Sequence, residues 1–372
     1  MLPASDPSPT AAAPSSTGTA TPTAAAPPST GAATPTAAAR PATAAATAAV
    51  PAPRPAGAAP RPARAGSGRR LVGAHVAVAG GLATTGLAAA RRLGAEAVQV
   101  FVANPRGWAT PAGDPAQDEL FRERCAEAGI PAYVHAPYLI NFGSHTEATA
   151  ERSVESLRHS LRRARAIGAL GVVVHTGSAT GGRPREVALA QVRERMLPLL
   201  DELTHPGDPF LLLEPTAGQG SSLCSRTRDL GPYFEALDRH PMLGVCLDTC
   251  HVFAAGHDLA AADGVGRTLD LLVEAVGEGR LKLVHANDSK DVAGARKDRH
   301  ANIGAGHIGE EPFRELLRHP ATEGVPLVVE TPGGEERHAE DVARLKRLRD
   351  EPDRPRPAGA PAAATRPAGH PC

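Results

Sequence analysis

The sequence lacks any apolar segment long enough to span a bilayer, and its N-terminus lacks the apolar stretch of a secretory signal peptide. It also lacks a disulfide framework. Its five cysteines, Cys125, Cys224, Cys246, Cys250 and Cys372, form no CxxC pair. We therefore expect a cytoplasmic protein with reduced thiols and no membrane association.

Excess charge of either sign is also absent, because 40 basic residues balance 40 acidic ones. The segment up to Arg70 contains six arginines and a single acidic residue, Asp6, so the remainder of the chain is slightly acidic. Nucleic-acid-binding proteins usually present a basic face, so overall charge argues weakly against that role. Bound divalent ions would change the local sign, since they are often the largest charges in a site.

Composition divides the chain into three parts. Residues 1–67 are almost wholly Ala, Pro, Thr, Ser and Gly, which cannot bury enough apolar surface to offset the entropy of ordering, so we predict disorder. A basic tether to DNA or protein is the functional alternative for this extension, but we favour no function. Residues 351–372 are again rich in Pro and Ala and are predicted to be disordered. Residues 68–350 form one predicted domain of about 280 residues, close to the size of a single α/β barrel.

Short apolar runs alternate with longer amphipathic segments throughout this domain. The predicted strands are residues 72–78, 97–102, 132–135, 171–175, 210–214, 244–248, 282–285 and 326–330. The predicted helices are residues 83–93, 118–128, 149–167, 185–203, 230–240, 266–276 and 312–317. Alternation of this kind is typical of a parallel sheet covered by helices. Eight strands predict a closed TIM (β/α)₈ barrel, and an open doubly wound sheet is the alternative.

Most of the predicted strands end in a side chain that binds metals. These residues are His135, His175, Glu214, Asp248, His285 and Glu330, each about one βα unit from the next. A single histidine at a strand end is more often structural. In a barrel, however, the strand ends converge on one mouth, where the active sites of this fold lie. Six such residues at successive strand ends are hard to explain by chance.

Loops after two of these strands add three more candidates. His251 lies three positions beyond Asp248, and Asp298 and His300 follow the strand that ends at His285. The resulting nine residues comprise five imidazoles and four carboxylates, which suffice for three divalent ions if some carboxylates bridge. Three divalent ions would carry six positive charges against the four carboxylates. The mouth of the barrel would then be net positive, so a polyanion could bind there.

The chain contains the motifs GAHV at 73–76, LEPTAGQG at 213–220, VCLDTCHVFAAG at 245–256, HANDSK at 285–290 and DRH at 298–300. In this order they resemble the signatures of the endonuclease IV family of zinc-dependent AP endonucleases. The resemblance extends over roughly residues 70–350. It implies a TIM barrel that hydrolyses the phosphodiester 5′ to an abasic sugar in duplex DNA and leaves a 3′-hydroxyl. The implied process is base excision repair. The implied partner is duplex DNA with abasic or 3′-blocked damage, bound by a monomer associated with the bacterial nucleoid.

The same resemblance implies three Zn²⁺ ions per chain, with Mn²⁺ acceptable at one site. His135 and His175 would bind one ion, and Glu214 would bridge it to a second. The second ion would also be bound by Asp248, His285 and Glu330, and the third by His251, Asp298 and His300. Glu330 would orient the nucleophile, so Glu214 and Glu330 are the predicted catalytic residues.

The resemblance also implies that DNA contacts come from two loops. Arg106 and Tyr138 match positions that the family uses to enter the minor groove, and Trp108 lies in the first of these loops. Apart from the resemblance, Tyr138 and Trp108 are equally good packing residues. The chain departs from the family pattern at Pro215, where Asn is usual, at Gly107 and at residues 332–334.

Two other functions compete with the nuclease. A metal-dependent sugar isomerase or epimerase uses the same barrel and similar strand-end ligands but lacks the set His251, Asp298 and His300. A non-catalytic binding protein would have lost ligand positions, and none is lost here.

Three further features are given less specific interpretations. A GxGxxG segment at 304–309 follows a polar loop instead of a strand, so we favour phosphate support at a helix N-terminus over dinucleotide binding. We interpret His75 as a residue that supports the ligands or packs in the core, and Cys250 as a small buried hydrophobic residue.

Overall fold

The structure is a computed structural model in which residues 68–352 are described. The predicted disorder of residues 1–67 lies outside the described residues, as do residues 353–372 of the predicted tail 351–372. No helix within residues 68–352 is long and apolar enough to cross a membrane.

Eight parallel strands close into a barrel, which confirms the predicted TIM barrel and excludes the open sheet. Their bounds are β1 Val72–His75, β2 Val98–Phe101, β3 Ala132–His135, β4 Gly171–His175, β5 Phe210–Glu214, β6 Leu243–Asp248, β7 Leu281–His285 and β10 Leu327–Val329. The two remaining strands, β8 Asp288–Ser289 and β9 His300–Ala301, pair antiparallel in the loop after β7.

Helices follow the barrel strands and cover their outer face. They are α1 Leu87–Arg92, α2 Pro115–Ala128, α3 Glu147–Ala166, α4 Arg185–Asp201, α5 Leu230–Ala236, α6 Thr249–Ala254, α7 Gly264–Val276, α8 Glu311–Leu316 and α9 Gly334–Asp350. The sequence analysis missed α6 and α9. The signal for α9 was present, because the buried residues Val342, Leu345 and Leu348 recur at a helical spacing.

Some predicted helix ends differ for local reasons. Helix α2 begins earlier than expected because Asp114 caps it, accepting hydrogen bonds from the N–H groups of Ala116 and Gln117. Helix α5 ends earlier than expected, and Asp238 and Arg239 just beyond it adopt positive φ angles.

Successive side chains on each strand point to opposite faces of the sheet, which produces two apolar layers. One set of side chains fills the barrel interior, namely Ala97, Tyr133, Val173, Leu212, Cys246, Leu283 and Val328. The alternate residues of the same strands, such as Val172 and Val174 of β4, belong to the larger core between barrel and helices. The interior is therefore packed, and polar side chains gather at its mouth.

Strand register aligns the polar strand ends. His175 of β4 pairs with Glu214 of β5, and Asp248 of β6 pairs with His285 of β7. Neighbouring residues in register project to the same face of a sheet. The register therefore brings these four side chains to one level at the carboxyl end of the barrel.

A buried ion pair fixes the long loop between β2 and α2. Arg163 of α3 donates to Asp118 of α2 at 2.7 Å and to the carbonyl of Ala112 at 3.2 Å. The His159 Nε2 atom also donates to the carbonyl of Pro111 at 2.8 Å. The side chains of Arg163 and Asp118 are only 10% and 7% exposed, so little water can replace this pairing.

We predict that Asp118→Asn lowers the free energy of unfolding by about 3–5 kcal/mol, because it leaves the buried Arg163 charge uncompensated. Chemical denaturation followed by circular dichroism measures this change. Glu119→Gln is the matched control on the same helix, because the ion pair between Glu119 and Arg122 is exposed and contributes at most about 1 kcal/mol. Equal stability of the two variants would show that the buried pair does not hold the loop.

Candidate metal centre

All nine sequence-predicted ligands lie at the carboxyl end of the barrel in one continuous network of contacts. Five of them end strands β3 to β7, and Glu330 directly follows β10. His251 lies in α6, His300 begins β9, and Asp298 lies in the loop between β8 and β9. Residues separated by almost 200 positions therefore become neighbours.

The carboxylate of Glu214 is at the centre of this network. Its Oε1 atom lies 3.0 Å from Nδ1 of His285 and 3.3 Å from Nδ1 of His251. Its Oε2 atom lies 3.4 Å from Nε2 of His135 and 3.3 Å from Nε2 of His175. Glu214 is 1% exposed, and within residues 68–352 its Oε2 atom has no hydrogen-bond partner.

Two of these imidazoles are held in orientation by a hydrogen bond from the ring nitrogen that points away from Glu214. His135 Nδ1 donates to the carbonyl of Ala136 at 2.7 Å, so the lone pair of Nε2 faces Glu214. His285 is oriented the other way round, because its Nε2 donates to Oε1 of Gln99 at 2.9 Å. The lone pair of His285 Nδ1 therefore faces the carboxylate.

The third predicted ion site shows the same arrangement. His251 Nδ1 donates to the carbonyl of Pro215 at 3.1 Å, and His300 Nδ1 donates to the carbonyl of Glu330 at 3.2 Å. Their Nε2 atoms lie 3.3 Å and 3.2 Å from the carboxylate oxygens of Asp298. His300 Nε2 is buried and has no hydrogen-bond partner in the described part of the chain.

At several points the mouth thus places a histidine lone pair against a carboxylate oxygen with no hydrogen between them. Such contacts favour a bound cation, and imidazole and carboxylate groups are the ligands of Zn²⁺ and related divalent ions. In the metal-free protein, protons take this place. Burial lowers the pKa of His300, but the charges of the nearby Asp248 and Asp298 carboxylates raise it to about 9. The donor set therefore fits a cluster of divalent ions.

Asp248 lies between two parts of the cluster. Its Oδ2 atom is 3.5 Å from Nε2 of His300 and 3.9 Å from Nδ1 of His285. Its Oδ1 atom caps α6 by accepting the N–H of His251 at 2.9 Å. The cap explains why a helix starts immediately after this strand and directs His251 into the mouth.

Sequence reasoning did not identify two polar side chains that support the cluster. Asn287 donates to Oδ2 of Asp248 at 2.8 Å and accepts the N–H of Glu330 at 2.8 Å. Gln99 contacts both His285 and Glu330. The available signal for Gln99 was its position as the one polar residue inside the apolar run 97–102.

His75 lies beside the cluster, with its Nδ1 atom 3.2 Å from Oε1 of Glu330. Cys250 is fully buried near Asp248 and His300, and burial raises the pKa of its thiol to about 12. Because Cys250, Asp248 and His300 together could also hold a metal ion, our interpretation of Cys250 as a small buried residue stays a prediction.

The glycine-rich segment 304–309 surrounds a carboxylate of the protein itself. Asp288 accepts hydrogen bonds at 2.9–3.2 Å from the N–H groups of Gly304, Gly306, Ile308 and Gly309. A Cβ atom at Gly306 would overlap the carbonyl oxygen of Ser289, so only glycine fits there. Asp288 therefore occupies the place that we expected for a phosphate.

The three predicted DNA-contacting residues surround the mouth. Tyr138 is 46% exposed, and its ring lies 5.2 Å from the ring of His135 and 5.6 Å from that of His175. Arg106 is exposed, whereas Trp108 is half-buried and packs against the main core. The Tyr138 N–H donates to the carbonyl of Pro105 at 2.9 Å, which links the two loops.

Residues 87–348 match the family model described as a xylose isomerase-like TIM barrel. The chain is 79% identical over 282 residues to a probable endonuclease 4 from Streptomyces coelicolor, a match that covers 76% of this chain and 96% of the relative. It is 38% identical to endonuclease IV from Thermus thermophilus, with a TM-score of 0.66 over 75% of this chain and 98% of that structure. The structure of a D-tagatose 3-epimerase-like protein shares the fold, with a TM-score of 0.58 and 18% sequence identity. The match covers 75% of this chain and 96% of that structure.

We predict that Glu214→Gln lowers divalent-metal affinity by at least about 10-fold, because it removes a central charge and places an amide donor against an imidazole. Elemental analysis after dialysis against graded chelator measures the change. Glu202→Gln is the control, since Glu202 forms an exposed ion pair with Arg158 on the outer surface. Wild-type metal retention by Glu214→Gln would rule out a metal centre around this carboxylate.

Proposed function

The chain belongs to the endonuclease IV family, and from that premise we propose that it hydrolyses the phosphodiester 5′ to abasic sites in duplex DNA, leaving a 3′-hydroxyl, with three Zn²⁺ ions. The proposal rests on the acceptor cluster around Glu214 and Asp298. We assign the activity to residues 68–350 acting as a monomer in base excision repair, in the cytoplasm at the nucleoid. Mn²⁺ is acceptable at one of the three sites, and DNA with 3′-blocked damage is a further substrate.

The contacts support a division of the ligands into three groups. His135, His175 and Glu214 approach one another closely enough to bind one ion, and His251, Asp298 and His300 to bind another. His285 Nδ1 lies 3.3 Å from Oε2 of Glu330, which supports a third position shared with Glu214 and Asp248. When bound, such ions act as Lewis acids on a phosphodiester and lower the pKa of water.

We assign different roles to the two catalytic carboxylates. The side chain of Glu330 is 15% exposed, whereas that of Glu214 is 1% exposed. Glu330 is thus the carboxylate that water and substrate reach, and it orients the attacking water. Glu214 is enclosed by imidazoles and would help to hold the ions.

The loops at the mouth supply DNA recognition. Tyr138 projects beside His135 and His175, and Arg106 has no hydrogen bond or ion pair from its guanidinium to any residue in 68–352. The Arg106 guanidinium can therefore enter a groove without first breaking internal contacts, whereas Tyr138 presents the exposed part of a ring that is held against the two imidazoles. An abasic nucleotide costs less to extrude than a paired one, which favours damaged DNA. Trp108 supports this loop by packing.

The sugar isomerase alternative is less well supported. The epimerase-like relatives share the fold at low sequence identity. The additional group His251, Asp298 and His300, with its unpartnered His300 Nε2 among the described residues, exceeds the one or two ions that an isomerase needs.

We predict that the purified protein carries about three Zn²⁺ ions and nicks a duplex with a single abasic analogue without added magnesium. Prolonged chelation should abolish nicking, and Zn²⁺ should restore it. Elemental analysis and denaturing electrophoresis measure the two outcomes, with the same duplex lacking the analogue as control. Undiminished cleavage after verified metal removal would contradict the metal mechanism.

We predict that Glu330→Gln lowers kcat by about 100-fold or more with a much smaller loss of DNA affinity, because a neutral amide orients the attacking water less well than the carboxylate does. Single-turnover nicking and fluorescence anisotropy measure rate and binding separately. Glu340→Gln, which alters an exposed ion pair with Arg337, is the control. An equal decrease in binding and rate would remove Glu330 from the chemical step.

A further inference from the structure

Gln99 is a buried amide at the centre of β2, with no exposed surface. Its neighbours Val98 and Val100 face the core between barrel and helices, so Gln99 faces the mouth. Each strand from β3 to β7 ends in a predicted metal ligand, whereas β2 contributes this neutral side chain from its interior. A buried amide costs stability unless its hydrogen bonds are satisfied.

The contacts of Gln99 define the orientation of its amide. Its Nε2 donates to Oε1 of Glu330 at 2.7 Å and lies 3.0 Å from Nδ1 of His75. Because the NH₂ group must face the carboxylate, Oε1 must face the other way. There it accepts the hydrogen of His285 Nε2 at 2.9 Å.

One amide therefore controls two members of the cluster. By accepting from Nε2, Gln99 selects the tautomer of His285 in which the lone pair of Nδ1 faces Glu214 and Glu330. By donating to Oε1, it fixes the rotation of the Glu330 carboxylate and leaves Oε2 towards His285.

We propose that Gln99 is a positioning residue for the metal centre, setting the ligand tautomer of His285 and the orientation of Glu330 with a single side chain. This inference rests on the proposed function. Groups that orient metal ligands typically change metal affinity or activity about 10- to 100-fold when they are removed. A residue that only filled the interior would be replaced by leucine at little cost to either property.

Gln99→Leu tests the proposal, because leucine has a similar size and no hydrogen-bonding groups. Gln191→Leu is the matched control. Gln191 donates to the carbonyls of Phe142 and Ser144 at 2.7 Å and 2.8 Å, away from the nine ligands. Both variants lose the hydrogen bonds of a largely buried glutamine, but only the first loses contacts to His285 and Glu330.

The full-length Zn²⁺-loaded proteins are compared in three measurements. The first is the chelator concentration that removes half of the zinc. The second is the pair kcat and KM on an abasic duplex. The third is the imidazole ¹⁵N–H spectrum of selectively labelled protein, in which the His285 Nε2 hydrogen should be detected in the wild type.

We expect Gln99→Leu to lose zinc at about 10- to 100-fold lower chelator concentration and to show a kcat lower by a similar factor, with KM changed by less than about 3-fold. The His285 Nε2–H signal should weaken or disappear. Gln191→Leu should match the wild type in all three measurements. If Gln99→Leu does not fold, Gln99→Asn, which is one methylene too short for both contacts, should show the same losses.

Wild-type zinc retention and kcat in Gln99→Leu, or in the asparagine variant that replaces it, would overturn the role of Gln99 alone. A wild-type protein that neither retains zinc nor nicks abasic DNA would overturn the proposed function and this inference together. The wild-type measurement therefore separates the two failures.

Discussion

The carboxylate of Glu214 faces four imidazoles, of which those of His135 and His285 are held so that their lone pairs point towards it. Acceptors facing acceptors in a buried site repel one another and cannot be solvated, so protons or metal ions between them would stabilise the mouth. This constraint explains why the surrounding contacts orient ligands instead of neutralising them. A wrongly rotated imidazole would turn a ligand into a donor and remove a metal contact.

The orienting contacts come mainly from the backbone. His135, His251 and His300 each donate to a main-chain carbonyl, whereas His285 uses the side chain of Gln99. The contact of His251 with the carbonyl of Pro215 explains why the departure from the usual Asn is compatible with the site. Proline keeps the main-chain carbonyl that this contact uses and lacks the N–H and the amide side chain, which the contact does not use.

Buried hydrogen bonds and ion pairs also hold the loops at the mouth. The ion pair between Arg163 and Asp118 fixes the loop that carries Arg106, and the backbone N–H groups of residues 304–309 enclose Asp288 next to Asn287. The candidate metal ligands and the predicted DNA-contacting side chains are therefore held by buried contacts among residues outside both sets. Strand alternation and the recurring ligand residues predicted the barrel and its mouth. These supporting contacts were not predictable, since they join residues far apart in sequence without a repeating pattern.

By itself, the sequence determined the alternating strands and helices and the set of nine candidate ligands, because side-chain periodicity and the positions of polar residues at strand ends and in the following loops are local properties of the chain. Only the tertiary structure decided which nitrogen of each histidine faces the cluster, that Gln99 contacts two ligands, and that Asp288 fills the glycine-rich loop. The physical reason is that these outcomes depend on distances between loops and strands that meet when the barrel closes.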